Sequence, residues 1–247
     1  MISISRILKK CILLCFCTAI FAFSQAYGQE EPEKVNLSID VANIFIWRGL
    51  AHTTTPVVQP IVTFSPVSKL SFGAWASTPF SLNWGEQPSE VDIFIDFQIA
   101  PFLTLNVTDY FVYEAGSPDY FNMKKQETGH AFDVQLIFAS DNSPFKALVS
   151  TIFASADLND KGKNNFSTYI ELGYGKSGKH VDWELFAGAV PMKSDFYGLE
   201  EANVINLGFN VTKNFQINPT CSLPLSLKFT VNPAHKAAFL TAAVTLF

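Results

Sequence analysis

Residues 35–64, VNLSIDVANIFIWRGLAHTTTPVVQPIVTF, decide the fold class of this chain. Apolar residues alternate with polar ones along the first arm, with Val35, Leu37, Ile39, Val41, Phe45 and Trp47 on one face. A period of two over about a dozen residues indicates a β-strand, because successive side chains on a strand point to opposite faces. The arm ends at Trp47-Arg48-Gly49, a Thr-rich loop turns the chain, and a second alternating arm begins at Val57. We interpret the stretch as a membrane β-hairpin with one face toward lipid and one toward a polar interior.

The first residues have the pattern of a secretory signal peptide. A positively charged start, MISISRILKK, precedes an apolar run at residues 11–23 that is too short to cross a bilayer as a helix. Small residues at Ala26-Tyr27-Gly28 predict cleavage after Gly28. We therefore expect a signal peptide at 1–28, a short periplasmic segment at 29–34 and a single barrel at 35–247. Of the four cysteines only Cys221 would remain, without a disulfide partner or a Cys-based metal site.

The composition favours a membrane barrel over a soluble β fold. Hydrophobic residues make up 48% of the chain and include 24 Phe, yet no later run approaches the ~18 apolar residues of a membrane helix. Apolar content spread over short alternating segments suits a barrel with outward aromatic side chains, whereas a soluble sandwich has little use for so many. The net charge of −5 argues against nucleic acid as a partner.

Alternating segments recur to the end of the chain, and the connections between them have two lengths. Short connections at 65–69, 100–102, 140–144 and 176–179 alternate with longer ones at 78–89, 114–129, 155–165 and 190–201. Outer-membrane barrels of Gram-negative bacteria have short periplasmic turns and longer external loops. We predict an all-β fold, a transmembrane antiparallel up-and-down barrel of about twelve strands with both termini in the periplasm, and ten strands as the alternative count. A β-bulge is predicted near Asp109, where the alternation slips, and a connection at 213–220.

The charged face of the predicted strands must be the interior. On the lipid side, each Arg or Lys at mid-depth would cost about 2–4 kcal/mol and each acid somewhat less. The summed cost for all the charged residues of this face would exceed the stability of an ordinary domain, about 5–15 kcal/mol. The predicted interior residues, which are candidates to line a pore, are Asp40, Arg48, Gln59, Trp75, Glu90, Asp92, Asp96, Tyr110, Asp133, Lys146, Tyr169, Glu171, Asp182, Glu184 and Lys228.

The order of several short motifs resembles the TorF-like porin family of exported Gram-negative proteins, common in Bacteroidetes-type bacteria. The motifs are Trp47-Arg48-Gly49, Gln59-Pro60, Gly73-Ala74-Trp75, Glu90-Val91-Asp92, Asp109-Tyr110-Phe111, Tyr169-Ile170-Glu171-Leu172-Gly173-Tyr174, Asn206-Leu207-Gly208, Leu223-Pro224-Leu225 and Val231-Asn232-Pro233. They span essentially the whole predicted mature chain. The last strand departs from the family pattern, with Ala242-Ala243 where such proteins often carry a Gly. The resemblance implies an outer-membrane barrel of channel function and leaves the substrate undefined.

Two functions follow from the predicted interior. Eight acids (Asp40, Glu90, Asp92, Asp96, Asp133, Glu171, Asp182, Glu184) against three bases (Arg48, Lys146, Lys228) predict a narrow pore for small solutes or ions with a weak cation preference. The alternative is a closed interior in which these acids pair with the three bases and with Tyr110, Tyr169 and Trp75, in a structural or adhesive barrel that presents loops such as 114–129. Arg48 is then either a constriction charge or the partner in an internal salt bridge, beside Trp47 in an outer aromatic girdle.

Catalytic and metal sites have weaker signals. Glu90 and Asp92 lie about 7 Å apart on one strand face, but Ca²⁺ takes about 6–8 oxygens and no turn supplies them. Nothing marks one of the pair as the acid of a glycosidase. A barrel lipid hydrolase needs a Ser, a His and an orienting group at the lipid face, and His130 alone lies near a rim, without an adjacent Ser. We expect no enzymatic activity, cofactor or metal, and as partners the membrane lipid and the barrel-assembly machinery, which would bind the C-terminal strand ending in Phe247.

Overall fold

A closed β-barrel accounts for nearly all of the computed structural model, which describes residues 34–80, 87–155, 157–218 and 221–246. Twelve strands form the barrel, each antiparallel to its neighbours in the chain, and the last strand pairs with the first. The predicted all-β, twelve-stranded, up-and-down architecture is confirmed. Predictions for the signal peptide, for residues 29–33 and for Phe247 fall outside the described residues. Within the described ranges no helix is long and apolar enough to cross a bilayer.

The strands have the following bounds. Barrel strands are β1 (Lys34–Ala42), β4 (Val57–Val67), β5 (Leu70–Pro79), β6 (Ser89–Ala100), β7 (Leu103–Tyr113), β8 (His130–Phe138), β9 (Phe145–Ser155), β10 (Thr168–Ser177), β11 (Asp182–Val190), β12 (Asn203–Asn218), β13 (Cys221–Asn232) and β14 (Ala237–Thr245). A separate two-stranded sheet, β2 (Ile46–Trp47) and β3 (Leu50–Ala51), lies in the connection between β1 and β4.

Two local predictions are wrong. The predicted connection at 213–220 is largely strand, because β12 continues to Asn218 and stays paired with β13 as far as Cys221. The predicted bulge near Asp109 is absent from the pairing of β7 with its neighbours, and a register shift lies instead in the pairing of β8 with β9, between Phe132 and Asp133. Asp109 interrupts the alternation because it faces outward and hydrogen-bonds to His130.

The connections give the barrel two different rims. The short-loop rim carries turns at 68–69, 101–102, 139–144 and 178–181, and the long-loop rim carries connections at 43–56, 114–129, 156–167, 191–202 and 233–236. The outer and inner faces of the barrel wall also differ. Large apolar side chains such as Leu172, Leu185 and Leu227 are exposed on the outside, whereas polar side chains such as Asp133, Gln135 and Ser150 are buried inside.

The seam between β1 and β14 is short, with three directly paired residues on each strand. Asn43 extends it: its backbone N–H donates to Ala242 O at 3.1 Å, its Nδ2 donates to Leu240 O at 3.1 Å, and its Oδ1 accepts from Ala242 N at 2.8 Å. Asn43 therefore continues the hydrogen-bond ladder past the end of β1.

We predict that Asn43→Ala, which removes two side-chain hydrogen bonds from the seam, lowers the free energy of unfolding by about 1–3 kcal/mol. The temperature at which the folded, heat-modifiable band converts to the unfolded band on SDS gels should fall accordingly. Asn142→Ala, in an exposed turn at the short-loop rim, is the matched control. Equal shifts in the two variants would show that Asn43 has no special role in closure.

Candidate functional site

The connection between β1 and β4 contains a tight hairpin, residues 46–51, which we name the plug hairpin. Ile46 pairs with Ala51 and Trp47 pairs with Leu50. Arg48 and Gly49 occupy the two central positions with φ of 47° and 79°. Positive φ at both positions is the requirement of a type I′ turn, and it explains the Gly after Arg48.

The plug hairpin crosses the barrel interior. It leaves the wall between β1 and β4, yet its contacts reach β8, near the opposite side of the barrel, as well as β12 and β13. Arg48 Nη2 lies 2.9 Å from Asp133 Oδ2 on β8, and Asn232 Nδ2 on β13 donates to Gly49 O at 3.0 Å. A Cβ built on Gly49 would lie 1.8 Å from Ile205 O on β12, so only glycine permits this approach.

Arg48 and Asp133 form the centre of a buried polar network. Their side chains are 8% and 0% exposed. Asp133 also accepts hydrogen bonds from Ser150 Oγ at 2.7 Å and from Tyr110 Oη at 3.2 Å, while Arg48 Nη1 donates to Tyr197 Oη at 2.6 Å. Burial of an ion pair costs several kcal/mol per ion unless hydrogen bonds satisfy it, and here both partners are satisfied.

The charge on Arg48 is secure. Burial by itself lowers the pKa of Arg48, but the neighbouring Tyr197, Tyr110 and Asp133 raise it more strongly, so the net pKa lies above that of a free guanidinium. The guanidinium also lies 4.4 Å from the ring centroid of Trp47 and 4.8 Å from that of Tyr169. Both rings add cation–π attraction.

The aromatic residues beside Arg48 belong to the interior, which corrects the prediction of an outer girdle. Trp47 stacks on Tyr197 with centroids 5.9 Å apart and an interplanar angle of 10°. Phe45 is buried against Trp75, with centroids 5.2 Å apart. Strand β1 ends at Ala42, so the alternation in the sequence no longer decides which way Phe45 and Trp47 point.

The remaining predicted interior residues share the inward face by register. Asp40 pairs with Gln59, and Asp92 is paired with Trp75 on one side and Tyr110 on the other. Their inner-face contacts are Asp96 with Asn106 at 2.8 Å, Lys146 with Glu184 at 2.8 Å, Tyr169 with Glu171, Lys228 over the Phe186 ring at 4.7 Å, and Gln59 with Ser77 at 3.3 Å. Asp182 lies opposite Thr212 at the start of β11. That these residues line a conducting path stays a prediction.

Two carboxylates lie beside the plug connection. Glu90 and Asp92 are 5% and 8% exposed, and His52 Nδ1 lies 3.5 Å from Glu90 Oε2. Burial lowers the pKa of His52 to about 4, so its ring is neutral at pH 7 and the contact is not an ion pair. Glu90 Oε2 and Asp92 Oδ1 have no hydrogen-bond partner among the described residues. No group of three or more His, Cys, Asp or Glu side chains in the described ranges could hold a metal ion.

The short-loop rim opens into a polar cavity of about 880 Å³. Lys146, Asp182, Glu184, Asn210 and Thr212 line it together with the turn at 140–144. Lys146 and Glu184 remain partly exposed although they are paired. The interior is therefore solvent-accessible from this rim.

Several residues of the network were not predicted. Ser150 and Asn206 lie at inward positions of alternating strands, and their polarity was a usable signal. Asn206 Nδ2 donates to Tyr169 Oη at 2.9 Å and to Glu171 Oε2 at 2.7 Å. Tyr197 lies in the 191–202 connection, and no periodicity in the sequence marks it as an interior residue.

Comparison with known proteins adds little to this geometry. No family model and no curated protein matches the chain, so the likeness to the TorF-like family rests on its short motifs alone. A solved structure that matches is Wzi of Escherichia coli, described as an outer membrane protein involved in group 1 capsule assembly and a carbohydrate-binding β-barrel. The identity is 11%, the TM-score is 0.34, and the match covers 77% of this chain and 51% of that one. The chain thus spans about half the length of Wzi, and a likeness this distant carries no argument about ligands.

We predict that Gly49→Ala displaces the plug hairpin, because the added methyl group cannot fit against Ile205 O. Trypsin should then cleave after Arg48, which its burial should protect in the wild-type protein, and mass spectrometry would identify the new fragment. Gly116→Ala is the matched control, since Gly116 also has a positive φ, of 93°, but no heavy atom lies within 4 Å of the added Cβ. Cleavage after the exposed Lys124 reports protease activity in every sample. Equal protection of Arg48 in both variants would contradict the prediction.

Proposed function

We propose that the protein is an outer-membrane β-barrel that provides a narrow path for small solutes or ions, with a weak cation preference, and that the plug hairpin restricts this path. The long-loop rim would face the outside, and both termini the periplasm. The observation that carries the proposal is that the plug hairpin crosses the interior and is held there by the bonds of Arg48 to Asp133 and Tyr197.

The outward face supports a membrane location. Ile93, Ile95 and Phe97 on β6 are 44%, 38% and 47% exposed, and Leu172 on β10 is 62% exposed. Apolar surface repeated around a closed wall would be unfavourable in water and suits hydrocarbon. Eleven of the barrel strands have 9–12 residues, in keeping with the about 9–11 residues that a tilted strand needs to cross a bilayer.

The charges of the interior support a cation preference. Arg48 pairs with Asp133, and Lys146 pairs with Glu184. Most of the other inward acids have no basic side chain within 4 Å among the described residues, namely Asp40, Asp92, Asp96, Glu171 and Asp182. Carboxylates around a narrow lumen attract cations and repel anions.

The closed barrel remains the second candidate, because a specific observation favours it. Four of the pairs that a closed interior predicts are present: Arg48 with Asp133, Lys146 with Glu184, Tyr110 with Asp133, and Tyr169 with Glu171. In that case the plug hairpin is a permanent part of the interior, and the protein acts through its external loops.

Lipid hydrolysis stays outside the proposal. His130 faces outward with Asp109, whose carboxylate lies 2.8 Å from His130 Nδ1, as a catalytic dyad would require. The other nitrogen, Nε2, lies 2.6 Å from Tyr120 O, and the ring is fully buried. A general base needs that nitrogen free to accept a proton from a Ser hydroxyl.

Conductance in planar bilayers separates the two candidates. We predict that replacing residues 46–51 with a Gly-Ser linker, together with Asp133→Asn so that no carboxylate stays buried without Arg48, raises single-channel conductance several-fold. Reversal potentials across a KCl gradient should show cation preference. Lys193→Gln, which removes the exposed ion pair with Glu200, should leave conductance unchanged.

A plug-free variant that folds, as judged by its heat-modifiable band, but like the wild type does not conduct would establish the closed barrel. Equal measurable conductance of both would show that the plug hairpin does not restrict the path. Anion preference in the open variant would exclude the cation preference.

The membrane location has a separate test in adjacent residues of β13. Leu227 faces outward and Ser226 faces inward, opposite Thr212. We predict that Leu227→Arg lowers the free energy of unfolding in phospholipid vesicles by up to about 2–4 kcal/mol, and that Ser226→Arg costs far less. Urea titration followed by tryptophan fluorescence measures both, and equal costs would contradict a lipid-facing Leu227.

A further inference from the structure

The connection at 114–129 lies against the outer side of the barrel wall. Tyr110 points inward to Asp133, so Phe111, its neighbour on β7, points outward, and His130 is its direct partner on β8. The Tyr120 ring lies 4.9 Å from both Phe111 and His130, and Tyr120 O accepts a hydrogen bond from His130 Nε2. The connection therefore folds down over the wall.

An aromatic row continues from this contact around the long-loop rim. Phe121 packs on Tyr120, His130 stacks on Phe132 with centroids 6.0 Å apart, and Phe132 contacts Phe153 of β9 at 6.2 Å. Phe121 is 67% exposed, and Met123 beside it is 58% exposed. Aromatic rows of this kind mark the level at which a barrel passes from hydrocarbon to headgroups.

Four exposed lysines accompany this row, in two connections that touch. A Cβ built on Gly162 would lie 2.7 Å from Gln126 Nε2, which brings the 156–167 connection against the 114–129 connection. Lys124 and Lys125 precede Gln126, and Lys161 and Lys163 flank Gly162. Asn159 Oδ1 accepts from the backbone N–H groups of Lys161 and Lys163, which holds both at the tip.

Acidic groups near the lysines neutralise only part of this charge. Glu127 pairs with Lys124 at 3.0 Å, and Asp160 precedes Lys161. Asp157 is buried and accepts hydrogen bonds from Ser167 instead. In the described part of the chain, no carboxylate lies within 4 Å of Lys125, Lys161 or Lys163.

We propose that this surface, formed by Phe121, Met123, Lys124, Lys125, Lys161 and Lys163 and here named the lysine crown, binds a phosphate-bearing glycolipid of the outer leaflet. Phe121 and Met123 contact its acyl chains, and the ammonium groups contact its phosphates. Such a surface combines burial of apolar side chains in the interface with about 1 kcal/mol of attraction for each basic residue near anionic lipid. The inference rests on the proposed membrane location and orientation, and it does not depend on conduction.

The test titrates the folded, detergent-solubilised full-length protein with bisphosphorylated lipid A and follows complexes by native mass spectrometry. Lys125→Glu combined with Lys161→Glu and Lys163→Glu should weaken binding at least about tenfold. The matched control reverses three exposed lysines at the opposite rim, Lys69, Lys176 and Lys179, and should bind as wild type does. Dephosphorylated lipid A should bind the wild-type protein weakly, with about the affinity that lipid A has for this triple variant, here named the crown variant.

Each contrary result overturns a specific part of the proposal. Equal losses in both triple variants would show that the lysine crown is not the site, and equal affinity for dephosphorylated lipid would exclude phosphate recognition. Full competition by millimolar inorganic phosphate would mean that the surface binds the free anion rather than a glycolipid. Conductance of the crown variant in planar bilayers should remain at the wild-type level, so a failure here is distinguishable from a failure of the proposed function.

Discussion

Arg48 carries a positive charge into an interior whose other fixed charges are mostly carboxylates, and the arrangement of the interior follows from the partners it finds there. Asp133 and Tyr197 bind its two terminal nitrogens. Those partners come from the barrel wall and from the 191–202 connection, so one guanidinium joins two connections of the long-loop rim to β8. An isolated charge buried at this depth would be strongly unfavourable. The network therefore stabilises the interior only when Arg48 and all of its partners are present. The residues that hold the plug hairpin inside the barrel are thus energetically coupled.

The wall of the barrel could be predicted from the sequence because its physics is local. A strand of a membrane barrel must present apolar side chains to lipid at every second position, and that demand leaves a period of two in the sequence. The bounds of β7 could be read directly from that pattern, and the inward phase of Asp133 and Glu184 follows from the cost of placing their charges in hydrocarbon. The extension of β12 was also present in the sequence, since Phe215 and Ile217 alternate with Asn214 and Gln216.

The interior could be predicted only in part, because tertiary contacts decide it. Phe45 and Trp47 continue the alternation of β1, yet the chain turns into the barrel after Ala42 and both rings pack inside. Tyr197 sits in a connection without periodicity, and its role depends on Trp47 and Arg48, about 150 residues earlier. Asp109 shows the converse case. Its charge lies at an outward position, where the alternation of the strand predicts an apolar residue. The 114–129 connection covers it there, and His130 binds it. Long connections that fold back on a barrel conceal such positions from any reading of the strands.

The plug hairpin is attached to the wall at both ends, at Ala42 and at Val57, and it therefore behaves as an intramolecular ligand. The short tether keeps the tip of the hairpin near its binding site at an effective concentration of the order of millimolar. Contacts of only micromolar intrinsic strength would then keep it docked nearly all of the time. In the proposed function, a solute passing through the lumen would compete against that local concentration, whatever its own concentration in bulk. Lengthening the tether would weaken docking of the plug hairpin without altering a single contact of Arg48, and the length of the 43–56 connection is in this sense as much a determinant of its occupancy as the chemistry of its tip.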